Sequence, residues 1–80
     1  VPLDWAATQF SFANALAHFG DRNGSTKLLD QAIIRYEAAL SEWTHERVPS
    51  HWMIAQGRLE YTRQLRQLRT SGRTLVDWTY

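Results

Sequence analysis

The sequence predicts an all-α protein of antiparallel helical hairpins, with three long helices and a short C-terminal one. Three observations predict it. Apolar side chains recur at steps of three and four along most of the chain. No segment sustains the alternation of a strand, so no sheet is expected. The helix-opening signal Val1-Pro2 returns as Val48-Pro49. At that same offset of 47 residues, Trp5 falls on Trp52, Gln9 on Gln56, Arg22 on Arg69, Leu28 on Leu75 and Asp30 on Asp77. These matches fall at two helix starts, which marks an internal repeat: a full unit at 1–47 and a partial second or capping unit at 48–80.

The elements follow in order. Pro2 suits the first turn of a helix, where its missing N–H costs nothing. Trp5, Phe12, Leu16 and Phe19, with small Ala6, Ala13 and Ala17 between them, keep helical spacing. Gly20 is expected to end this helix as a left-handed cap, with a polar turn running to Ser25. Ser25 or Thr26 caps the next helix. That second helix carries the cleanest stripe in the chain: Leu29, Ala32/Ile33, Tyr36, Ala39/Leu40, Trp43. A short loop between two such helices makes them pack antiparallel. Pro49 turns Val48 away from helix and opens a third helix, expected from about Ser50 to Arg69. Its candidate buried positions are Trp52, Met53, Ala55/Gln56, Leu59, Leu65 and Leu68. Ser71-Gly72 breaks the chain again, and Thr74–Tyr80 is read as a short helix.

Eighty residues make one small domain, 1–80. Without cysteine it has neither disulfides nor a Cys-based zinc site, so four Trp, three Tyr and three Phe are expected to supply much of its core area. The absence of cysteine fits a reducing cytoplasm. A net charge of +1 creates no strong field toward nucleic acid or membrane. No apolar run reaches the roughly 20 residues of a membrane span. Nothing in the sequence has the spacing of an active site or a cofactor site. His18, His45 and His51 lack metal-ligand spacing, and there is no phosphate-binding glycine loop or nucleophile elbow. No enzyme activity and no cofactor are expected.

Ala32, Tyr36, Ala39 and Leu40 resemble the second helix of a tetratricopeptide repeat, in which a small residue is followed by an aromatic four positions on and an Ala three after that. Phe12, Ala13 and Leu16 stand at that family's first-helix positions, and Gln9 stands where the family prefers Trp. The stretch DWAATQFSFANALAHFGDR looks like the first helix of a longer-loop bacterial variant. The departures are a period of 47 rather than 34, an interhelix loop longer by about seven residues, a link to the next unit longer by about six, and a unit-closing Pro displaced to Pro49. The resemblance implies stacked hairpins forming a fragment of a right-handed superhelix. Small residues at Ala13, Ala32 and Ala39 let helix axes approach, and Tyr36 and Leu40 fill the space between hairpins.

The resemblance also implies a function as a protein–protein interaction module or scaffold. First helices of successive units would line a groove that takes a peptide. Carried over by position, its residues are Phe10, Asn14 and His18 with Ala7 and Ala17, and Ile54, Tyr61 and Gln64 with Gly57 and Leu65. Phe10 takes the place of a basic group, so capture of a terminal carboxylate is not expected. The charge is uneven: residues 1–47 carry net −2 and residues 48–80 net +3. Arg63, Arg66, Arg69 and Arg73 recur at steps of three and four. They form a candidate basic patch for nucleic acid or an acidic ligand, but a small footprint for either. The preferred reading is a solvated face whose arginine stems cover apolar surface. Uncovered hairpin faces, the tail aromatics Trp78 and Tyr80, and an acidic unit able to meet the basic end of another molecule predict self-association.

Overall fold

The computed structural model describes residues 2–71, and the side chains of residues 4–69. Among these residues there are three helices and no strand: α1 (Pro2–Asn23), α2 (Thr26–Leu40) and α3 (Pro49–Ser71). α1 and α2 form the antiparallel hairpin. α3 packs mainly on α2 and meets α1 only sparingly. The two Val-Pro signals therefore stand at the starts of α1 and α3, 47 residues apart. The expected helix at Thr74–Tyr80 lies outside the described residues, as do Trp78, Tyr80 and Arg73.

The α1–α2 turn corrects the sequence reading at one glycine. Gly20 does not end α1; the helix runs on to Asn23. The left-handed residue is Gly24, with φ of 65°. The Ser25 amide donates to the Gly20 carbonyl at 2.9 Å and the Gly24 amide to Asp21 at 3.4 Å, the paired closure of a Schellman ending. Ser25 then serves as N-cap of α2, its hydroxyl accepting from the Leu28 amide at 3.2 Å. The connection is thus two residues, so the length expected in this loop lies in α1, while residues 41–48 form the link from α2 to α3. Gly20 has a different task. A Cβ there would meet Leu29 Cδ2 at 3.0 Å and the Leu29 backbone nitrogen at 3.1 Å. Gly20 lets α2 start against α1.

The core is built on small residues. Ala6, Ala13, Ala32, Ala39 and Ala55 are fully buried, so the helix axes approach closely. Tyr36 and Leu59 fill the space between α2 and α3 beside Ala13 and Ala32. Trp43 does the same beside Ala6, Ala39 and Ala55. Trp43 keeps the α2 stripe although α2 itself stops at Leu40, because its amide still bonds back to Ala39 at 2.9 Å. Phe10 joins both clusters, its ring 5.8 Å from Tyr36 and 5.3 Å from Trp43.

The aromatics do not all go inside. Trp5, Phe12, Phe19 and Tyr61 are exposed, and in α3 so are Met53 and Leu68. Trp52, Gln56 and Leu65 are half-buried, and Ala55 and Leu59 are buried as expected. α3 also buries Thr62, whose hydroxyl donates to the Arg58 carbonyl at 2.8 Å. Buried Gln9 is satisfied by the Arg35 guanidinium at 3.0 Å. Trp5 and Trp52 share a helix register but not surroundings: Trp52 stands edge-on to His45 at 5.0 Å, and Trp5 lies open.

Candidate functional site

Because α1 and α3 both lean on α2 and hardly on each other, a trough remains between them. It encloses about 600 Å³. Asn14, Ala17, His18 and Asp21 of α1 form one wall, and Met53, Ile54, Gly57, Tyr61 and Leu65 of α3 form the other. Tyr36, Arg58 and Thr62 also line it. Seven of the ten groove residues named from sequence, Asn14, Ala17, His18, Ile54, Gly57, Tyr61 and Leu65, come together here, and Ala7 does not. Phe10 does not line the trough; its ring packs into the core. Gln64 is exposed on α3 and is not among the lining residues either.

The polar chemistry of the trough centres on Tyr36. Its hydroxyl donates to Asn14 Oδ1 at 2.6 Å. That bond fixes the Asn14 amide and leaves its N–H groups to donate elsewhere. Burial pushes the Tyr36 phenol above its ordinary pKa, with the positive charge of Arg58 pulling the other way. The Arg58 guanidinium also stands 5.9 Å from the Phe10 ring centroid. Gly57 keeps the α3 wall low, since a Cβ there would meet nothing within 4 Å. Sequence reasoning missed Asp21, Tyr36, Met53, Arg58 and Thr62 as lining residues. Arg58 stands outside the three- and four-residue step of the other arginines, and Met53 read as core.

The arginine face is arranged differently from a free basic patch. Arg63 pairs with Glu37 at 2.8 Å and with Glu60 at 3.5 Å. Arg66 grips Asp30 with two nitrogens, and this contact raises the Arg66 pKa. Arg69 holds the Asp21 carbonyl at 2.6 Å and its carboxylate at 3.1 Å, against the α1–α2 turn. The acidic unit and the basic end meet inside one molecule, because α3 lies alongside the hairpin that carries the acids.

No helix among the described residues is long and apolar enough to cross a membrane. Compared with known proteins, the chain matches no protein-family model, no curated protein and no solved structure. The described residues thus form three helices with a groove bounded by α1 and α3.

Proposed function

We propose that this chain is a non-enzymatic interaction module, a cytoplasmic scaffold of the tetratricopeptide kind whose hairpins begin a right-handed superhelix and hold an extended peptide between α1 and α3. One observation carries the reading. Asn14, His18, Ile54 and Tyr61, from helices far apart in sequence, line one trough of about 600 Å³. That volume falls in the range of binding clefts, which combine apolar walls with a few placed polar groups. Asn14 has amide N–H groups to offer a peptide carbonyl. Tyr61 and Ile54 supply exposed apolar surface for a side chain. The rival reading, nucleic acid on the arginine face, is weakened by the carboxylates that Arg63, Arg66 and Arg69 already hold.

The test is a displayed-peptide selection against the chain, followed by backbone-amide NMR of the selected complex. Shifts should concentrate at Asn14, His18, Gly57 and Tyr61. Ile54→Glu and Tyr61→Ala alter exposed side chains, so they should cut affinity tenfold or more with little change in melting. Shifts confined to another face, or no peptide selected at all, would overturn the reading.

A further inference from the structure

On α1 three aromatics stand exposed on one line: Trp5, Phe12 and Phe19, which are 40%, 46% and 55% accessible. They recur every seventh residue, so they drift little around the helix and form one seam about 21 Å long. Thr8 and Ala15, the smaller positions between them, complete the strip. This face is separate from the trough. The repeat tells what such a strip seats. Shifted by 47, Trp5, Thr8, Phe12 and Ala15 become Trp52, Ala55, Leu59 and Thr62. In α3 Ala55, Leu59 and Thr62 are buried, and Trp52 is half-buried. The chain uses this register once already to pack a helix against a helix.

We infer that the α1 seam pairs with the α1 seam of a second copy, antiparallel, about a two-fold axis at Phe12. The spacing is symmetric about that residue, so Trp5 of each copy meets Phe19 of the other and the two Phe12 rings meet each other. The charges select the antiparallel sense. Asp4 in the first turn and Arg22 in the last are both exposed, and among the described residues neither has an ion-pair partner. They lie five full turns apart and project from the same side of α1. Antiparallel pairing brings each Asp4 within a few ångströms, along the axis, of the other copy's Arg22. Parallel pairing would set acid beside acid.

The area sets the strength. Three half-exposed aromatics per copy hide about 600 Å² over both copies, below the roughly 1,000 Å² of a stable interface. Arg35, held to Gln9 and lying 4.7 Å over the Phe12 ring, also brings a like charge near the axis. The dimer is therefore weak and transient.

Sedimentation velocity of the full chain from about 10 μM to about 1 mM tests this, with circular dichroism confirming that every variant is folded. The expected result is a monomer that becomes a dimer and goes no further. Phe12→Glu should hold it monomeric, and Met53→Glu, in the trough rather than the seam, should leave dimerisation as it is. Asp4→Arg alone and Arg22→Asp alone should each weaken dimerisation about tenfold. Mixed in equal amounts they should restore it, because both cross-copy pairs are then complementary. A strict monomer, a stack that keeps growing, loss of the dimer in Met53→Glu, or a mixture no tighter than its parts would overturn the proposal.

Discussion

Two glycines lie inside helices, and alanine at each should have opposite effects. In a helix interior, glycine costs about 1 kcal/mol relative to alanine, so both substitutions start with that gain. At Gly57 a Cβ meets nothing within 4 Å, and most of the gain should survive, about 0.5–1 kcal/mol. At Gly20 the Cβ would stand 3.0 Å from Leu29 Cδ2 and 3.1 Å from the Leu29 backbone nitrogen. The side chain can rotate, but the backbone atom at the start of α2 can move only with the helix. Overpacking of this kind costs about 1–3 kcal/mol, so Gly20→Ala should lose about 1 kcal/mol net. The two variants should differ by about 2 kcal/mol, roughly 8–16 °C in melting temperature for a domain of this size. Thermal and urea melts followed by helical circular dichroism measure this directly. If Gly20→Ala stabilised the chain as much as Gly57→Ala, α1 and α2 would not approach as closely as described. A double-mutant cycle with Leu29→Ala would then locate the error.

Four further outcomes are expected. Tyr36→Ala should cost about 3–5 kcal/mol, a large share of the stability of a small domain, while Tyr36→Phe, which removes the hydroxyl and its bond to Asn14, should cost about 1 kcal/mol in urea melts. The Tyr36 pKa is raised on folding, so its contribution is complete below pH 10, the ordinary tyrosine value, and is lost as pH climbs from there through the raised value. Tyr36→Phe should therefore flatten the fall of stability in alkaline titrations. Ser25→Ala removes the cap of α2 and should lower stability by about 1 kcal/mol. Replacing Arg63 and Arg66 together by Gln should lower the melting temperature only slightly, and less at high salt, because their ion pairs are open to water.

Much of the fold was legible in the sequence because the helix signals are local. The Val-Pro openings, the Ser25 cap and the Ala32–Tyr36–Ala39 stripe all report backbone or packing preferences within a few residues. The identity of the capping glycine was not legible. Gly20 and Gly24 flank the same polar stretch, Asp21-Arg22-Asn23, and only the contact with Leu29 separates a glycine needed for space from one needed for its φ. The trough was legible in part. Asn14, His18, Ile54 and Tyr61 stand at positions carried over from the tetratricopeptide resemblance, but the inward place of Phe10 depends on Tyr36 and Trp43, which approach it from across the hairpin.

The aromatics of α1 show why pattern alone misplaces a core. Trp5, Phe12 and Phe19 and the buried Ala6, Ala13 and Gly20 have the same period of seven, displaced by one residue. Hydrophobic size favours the first set, yet α2 packs on the second. The tie is broken by closeness: Leu29, Ala32 and Ala39 can approach α1 only along a side without bulk. α3 is chosen by the complementary rule. Its Ala55 and Leu59 continue the small-and-large pattern against Tyr36 and Trp43, while Arg63, Arg66 and Arg69 find Glu37, Asp30 and Asp21 at the rim. Individually these exposed pairs contribute little, but on one side of one helix they set the register in which α3 lies down. A charge split along the sequence is then the trace of a contact within the molecule, and the bare aromatic seam on α1 is the face for which the chain as described supplies no such partner.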